Sequence, residues 1–160
     1  MWYKNQVVLT CHQVTGVYMR LTQFTDFSLR TLMFLAMKED ELCTVSEISG
    51  AYGISRNHLV KVTHNLAKEG LIESFKGKGG GIRLAKDPSE INIGKVVAKL
   101  EADTILVECM GDLGNCKIDP ACKLKNVLGK AKKSFYSVLE EYTLKDMVKN
   151  KNQLSNMLEI

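Results

Sequence analysis

The sequence predicts a mainly α fold with a small β wing and a long C-terminal helix, on three observations. First, only two prolines occur in 160 residues, with no Ser/Gly/Pro-rich stretch, which favours helices over a disordered tail. Second, a capped short helix, a glycine turn and an amphipathic helix follow one another between Thr44 and Lys68. Third, two short apolar segments joined by a Gly/Lys loop come directly after, so the pieces spell a winged helix-turn-helix. A chain this long buries roughly 70% of its unfolded surface. Its 45% apolar and 25% charged residues are ordinary for a soluble globular protein. No run reaches the ~18 apolar residues of a membrane helix, so the expectation is a cytoplasmic protein with no membrane partner.

Residues 1–18 hold no sustained periodicity, no apolar core of a signal peptide and no small-residue cleavage site; they read as an extension outside the functional fold, Cys11 and His12 included. Met19 opens a better segment. Phe27, Thr31, Leu32, Leu35 and Ala36 recur at helical steps after a start at Thr25-Asp26. Thr44-Val-Ser-Glu47 is a capping box for a short helix that Gly53 ends, and Ser55 stands where the next helix is capped. Leu71–Phe75 and Ile82–Leu84 are the two strands. Asp119-Pro120 then reads as a cap followed by proline at the first helical position. Beyond it Ala121, Leu124, Leu128, Ala131, Phe135, Val138 and Tyr142 form a coiled-coil seam, either a dimerisation helix or an intramolecular core helix. Leu144, Met147 and Val148 suggest a short helix folding back. The expected division is a winged helix-turn-helix over 19–90, a cysteine loop and dimerisation helix over 91–148, and a tail over 149–160.

The net charge of +4 is concentrated rather than spread. Between Gly53 and Lys86 stand Arg56, Lys61, Lys68, Lys76, Lys78, Arg83 and Lys86 against Glu69 and Glu73, a local +5 that leaves −1 for the rest. A basic surface on a near-neutral protein is the footprint of a nucleic-acid contact, although a solvated lysine face has the same charge. The helix after Ser55 favours the first reading. Asn57, Lys61, His64 and Lys68 share one stripe, opposite Leu59, Val62 and Leu66. Asn suits adenine edges and Lys suits guanine or phosphate, while the first two turns, with Arg56 and His58, hold no acid. His58 and His64, on different faces and without a nearby carboxylate, are DNA or surface residues rather than metal ligands. In the wing, glycines let backbone approach a duplex, and Lys76, Lys78 and Arg83 supply phosphate or minor-groove contacts. A nucleotide-binding loop is the weaker reading, because the spacing and final Ser/Thr of a P-loop are missing.

Five cysteines are too few for a disulfide scaffold, yet Cys109, Cys116 and Cys122 crowd into a C-x6-C-x5-C pattern. Placed in the first turn of the following helix, Cys122 would be favoured as a thiolate, and Lys117, Lys123 and Lys125 add positive charge. Structural zinc prefers C-x2-4-C pairs and four ligands, so three thiolates in a loop suit an iron–sulfur cluster with a weaker fourth ligand. Zinc, an intramolecular disulfide or inert thiols are the alternatives. Cys43, between Leu42 and Val45, reads as a small core residue.

The segments MRLTQFTDFSLR, GISRNHLVKV, KGKGGGIRL and INIGKVVAKLE, with the C-x6-C-x5-C pattern before a long helix, resemble the bacterial iron–sulfur winged-helix regulators, the family that includes IscR. The match runs from Met19 to about Val148. FTDFSLR and SRNHLVK are most similar to the nitric-oxide-sensitive repressors of that family. IscR-like chains carry a His three residues after the last cysteine, where this one has Lys125. The resemblance implies a homodimeric repressor bound to double-stranded operator DNA, with a cluster on Cys109, Cys116 and Cys122. It implies Asp26 as a fourth ligand given to the partner subunit's cluster; read from the residues alone, Asp26 is a helix cap. A carboxylate ligand favours a four-iron–four-sulfur over a two-iron–two-sulfur cluster. The implied signal is nitric oxide, which nitrosylates cluster iron and releases the DNA.

An IscR-type sensor of iron–sulfur or redox status and a zinc-stabilised DNA-binding module are the competing regulators. An enzyme is not expected. A thiol oxidoreductase lacks its C-x-x-C, and no His or carboxylate is clearly placed as a general base.

Overall fold

The computed structural model describes residues 20–111 and 116–160. The extension expected at 1–18, with Cys11 and His12, and the start at Met19 lie outside the described residues. Helix α1 (Gln23–Lys38) is the centre of the fold, with Thr25, Ser28, Thr31, Leu32, Phe34, Leu35, Ala36 and Met37 all buried. Its N-cap is Thr22, whose hydroxyl accepts from the Thr25 amide at 3.2 Å, three residues before the start expected at Thr25-Asp26. Asp26 is therefore a first-turn residue rather than a cap.

Helix α2 (Val45–Tyr52) opens on Thr44 with both halves of the capping box made, and Gly53 closes it with φ 64°, a conformation that suits glycine. Helix α3 (Arg56–Lys68) starts at Ser55, whose side chain makes no capping bond. Leu59, Val62, Thr63 and Leu66 are its buried face. Strands β1 (Ile72–Phe75) and β2 (Gly81–Leu84) pair antiparallel, Glu73 opposite Arg83. The sheet gains a rung from Cys43, whose backbone exchanges hydrogen bonds with Ile82 at 2.9 and 2.8 Å. The winged helix-turn-helix of the sequence is present.

A 3₁₀ turn (Pro88–Glu90) leads to α4 (Ile93–Leu100), capped by the Asn92 side chain. The long helix α5 (Lys123–Glu140) packs on α4, followed by α6 (Leu144–Met147) and α7 (Lys151–Leu158). The two long segments meet closely at Gly94, where a Cβ would stand 2.6 Å from the Glu140 backbone nitrogen. Three further bonds clip the end of α5 to the start of α4. Asn92 Nδ2 donates to the Glu140 carbonyl (2.7 Å), the Ile93 amide to Tyr142 (3.0 Å) and the Leu144 amide to Ile91 (2.8 Å).

One hydrophobic core runs through all of this, joining Leu32, Leu35, Ile48, Leu59, Leu66 and Ile82 to Ile91, Val96, Val97 and Leu144. The core thus crosses the boundary expected at residue 90. The segment expected as a tail contains α7, with Ile160 packed against the core and Lys151 paired with Glu39 at 2.5 Å.

Candidate nucleic-acid interface and cysteine loop

Burial of Leu59, Val62 and Leu66, none more than 1% exposed, turns the opposite face of α3 outward. Ser55, Arg56, Asn57, His58, Lys61, His64 and Lys68 are all exposed. The stripe expected to read DNA is thus presented to solvent by the same packing that holds the helix. His58 is also engaged at its base: its ring centroid lies 5.9 Å from that of Phe27 on α1. In the wing, Lys76 and Lys78 are exposed on the loop, where Gly77 and Gly79 take φ of 102° and 80°. Arg83 is placed differently from the two lysines. Its Nε and Nη2 donate to Glu73 Oε2 at 3.1 and 3.0 Å, and its guanidinium lies over the Phe75 ring, 5.0 Å from the centroid. A phosphate would have to compete with Glu73 for it.

The cysteine segment leaves α4 at Glu101, a residue that sequence reasoning missed. The residue is only 3% exposed, and its carboxylate ties three segments together. Oε1 accepts from the Thr22 amide and hydroxyl, both at 2.8 Å, and Oε2 from the Thr104 hydroxyl at 2.6 Å. Burial works to raise its pKa, but hydrogen bonds from Thr104, Thr25 and Thr22 outweigh it and hold the carboxyl below its ordinary value. Nothing local marks Glu101 out, because its partners at Thr22 lie 79 residues away.

Cys109 is half-buried in a 3₁₀ turn (Glu108–Met110), Cys116 is exposed, and Cys122 is half-buried. Contrary to the expected start at Asp119-Pro120, Asp119–Ala121 form a separate 3₁₀ turn and the helix proper begins at Lys123. Cys122, extended at φ −77° and ψ 105°, is the N-cap residue rather than part of the first turn. Asp119 does not cap the helix because its carboxylate grips Lys125 Nζ with both oxygens, at 2.7 and 2.8 Å. That carboxylate, with the nearby Cys109 and Cys122, keeps the Lys125 ammonium above its ordinary pKa. An open cleft beside it is lined by Met110, Asn126, Gly129, Lys130 and Lys133.

The donor chemistry of this segment fits an iron–sulfur cluster. Three thiols stand on one loop, the donor type that such a cluster takes. Among the described residues, no three His, Cys, Asp or Glu side chains gather closely enough to hold a single metal ion. Asp26, 44% exposed on α1, pairs with Arg30 at 2.9 Å and is not near enough to join them within one chain. Cys43 is no candidate ligand: it is 2% exposed, and burial pushes its thiol up to about 11.

The expected seam divides. Phe135 turns inward against the core, as does Leu139 outside the seam, whereas the seam residues Leu124 (63%), Val138 (54%) and Tyr142 (44%) remain exposed, with Val127 (59%) beside them. Among the described residues, no helix is long and apolar enough to cross a membrane.

Comparison with known proteins agrees with this architecture. The Rrf2 family model, described as an iron-dependent transcriptional regulator, matches residues 21–150. The HTH-type transcriptional regulator NsrR of Shouchella clausii (strain KSM-K16) is 50% identical over 143 residues, covering 88% of this chain and 96% of that one. The regulator of the same name from Bacillus subtilis (strain 168) is 47% identical over 144 residues, 89% of this chain and 99% of its own. Among solved structures, T. potens IscR superposes with a TM-score of 0.66 at 26% identity, covering 82% of this chain and 87% of that chain. Oxidised Staphylococcus aureus CymR shares the fold, with a TM-score of 0.66 at 22% identity over 82% of this chain and 97% of that one. The two NsrR relatives are named as transcriptional regulators. The chain belongs to the Rrf2 family of transcriptional regulators.

Proposed function

We propose that this protein is a homodimeric repressor that reads double-stranded operator DNA and releases it in response to nitric oxide. The observation that carries the reading is α3. Its buried face directs Arg56, Asn57, His58, Lys61 and His64 outward, beside a wing that presents Lys76 and Lys78. Ser55, at the helix N-terminus, belongs to the same contact, and Arg83 joins it where phosphate displaces Glu73. The exposed Leu124, Val127 and Val138 on α5 support a second copy of the chain as the helix's partner. Two copies would set two α3 helices against successive turns of a pseudo-palindrome.

Cys109, Cys116 and Cys122 would hold an iron–sulfur cluster, with the partner subunit's Asp26 as the fourth ligand. That carboxylate favours four-iron–four-sulfur over two-iron–two-sulfur. When bound, the cluster supplies iron that reacts with nitric oxide. The chain's own residues connect the loop to the reading helix. Glu101 ties the root of the cysteine segment to the Thr22 cap of α1, and α1 meets α3 through Phe27 and His58. A shift at the loop root is therefore felt where α1 begins and where α3 is seated. The similarity to regulators named NsrR supports the same reading.

Iron, sulfide and zinc per chain, measured after purification without oxygen and followed by nitric-oxide titration of the DNA complex, test it. Iron and sulfide together, with DNA released as nitric oxide is added, are the expected result. Zinc alone, or DNA binding indifferent to nitric oxide, would overturn the sensor reading. Cys116→Ala is expected to lose iron and operator affinity while remaining dimeric; unchanged DNA affinity would count against the cluster's role.

A further inference from the structure

Val60 is the one apolar member of the outward stripe of α3. It stands three residues after Asn57 and four before His64, so it lies between them on one helical face, with Lys61 alongside. Its side chain is 51% exposed, against 0% for the preceding Leu59 and 1% for Val62. Isolated apolar side chains on a surface need no special explanation. This one is set apart by its neighbours and by its type. The surrounding stripe is polar and basic, in a segment carrying a local +5, so the surface it shares is complementary to a polyanion. A β-branched residue also weakens an exposed helix position where alanine or lysine would strengthen it, and half-exposed Val60 recovers little of that by burial.

A duplex offers one apolar feature on its major-groove base edges, the C5-methyl of thymine. We infer that Val60 is a specificity-determining residue that packs against a thymine methyl in each half-site, between the bases or phosphates met by Asn57 and His64. The inference rests on the DNA-reading role proposed above and adds to it the base that this position selects. Thr63, whose hydroxyl donates to the Val60 carbonyl at 3.1 Å, is turned to the buried face and does not compete for the thymine.

The experiment uses the full chain as purified without oxygen. Its preferred site is first selected from a random duplex library. That duplex is then rebuilt with deoxyuridine replacing one thymidine at a time, which removes a methyl and leaves every hydrogen-bonding group. For the wild-type protein, one substitution per half-site is expected to weaken binding about threefold to fivefold, the size of burying a single methyl. Val60→Ala is expected to bind thymine and uracil versions of that position equally, while keeping the wild-type response to base changes elsewhere. Alanine is a better helix former than valine, so the variant keeps α3 intact. A recovered site whose thymine methyls the wild-type protein ignores, or whose methyl effect survives in Val60→Ala, would overturn the inference alone. Recovery of no preferred duplex would overturn the DNA-reading proposal and this inference together, a visibly different result.

Discussion

The helix-turn-helix and wing, proposed above to meet DNA, and the segment that carries the cysteines are built in opposite ways. In α2, α3 and the wing, position is set by many short-range devices: the Thr44 capping box, the left-handed Gly53, a buried face on α3 and a paired hairpin with an extra rung from Cys43. Each outward side chain there projects from a backbone held by these local devices. Between Glu101 and Lys123 the described chain is held at a few points: the buried Glu101 carboxylate at its root, two 3₁₀ turns, and the Lys125–Asp119 grip at its end. The difference teaches that the surface of α3 is set by packing along its length, whereas the described part of the cysteine segment is positioned mainly at its two ends.

The comparison breaks most sharply if the reading half loses its packing. Leu144 is fully buried against α1 and the Pro88–Glu90 turn, although it lies beyond the long helix. Leu144→Ala is expected to cost about 3 kcal/mol of stability. Urea unfolding followed by the fluorescence of the chain should show one transition moved to lower denaturant. A separate early transition confined to the C-terminal helices, with the DNA-reading half unmoved, would show instead that the two halves do not share a core.

A smaller effect is expected at the anchor of the cysteine segment. Glu101→Gln removes a charge that accepts hydrogen bonds from Thr22 and Thr104, at an expected cost of about 1–3 kcal/mol. The sign of the pH dependence follows from the lowered pKa of Glu101 in the folded chain. Its contribution is fully present above the unfolded value of about 4.3 and is lost as pH falls through the lower folded value. The difference in stability between wild type and Glu101→Gln should therefore be constant near neutrality and shrink on acidification. A difference that grows toward low pH would rule out the carboxylate as the anchor.

The smallest expected effect on stability is at the wing. Lys78→Ala should change stability by no more than about 0.5 kcal/mol, because the side chain is exposed. Its signature is electrostatic: if Lys78 neutralises one phosphate, the slope of log affinity for duplex DNA against log salt should become shallower by about 1 in the variant. An unchanged slope would leave Lys78 as a solvated residue and place the wing's contacts elsewhere.

What the sequence makes legible divides along the same line. Capping boxes, glycine turns and the alternating faces of α1 and α3 depend on residues within a few positions of one another, so Thr44, Gly53 and the α3 stripe are readable directly. The start of α1 falls three residues earlier than local signals suggest because Thr22 and Thr25 are both competent caps, and Thr22 is chosen in company with Glu101, far along the chain. Asp119-Pro120 is a sound start signal, and on that signal Cys122 belongs inside the helix. In the fold the Asp119 carboxylate is taken by Lys125, and a short 3₁₀ turn precedes the helix instead. Arg83 reads locally as a free cation because the strand register that sets it opposite Glu73 is not a local property. The cysteine spacing identifies three donors, but spacing alone does not say where a loop carries them.

The burial of Leu144 within the core that surrounds α3 also orders events during synthesis. A ribosome that has added residue 90 still has 54 residues to add before position 144 appears, roughly three to ten seconds of translation. For that interval the first three helices and the hairpin lack Leu144, and the space it fills stays open. Cys109, Cys116 and Cys122 are therefore all synthesised before the core around α3 can be completed. A completed core that lacks the cysteine segment is not a stage that biosynthesis passes through.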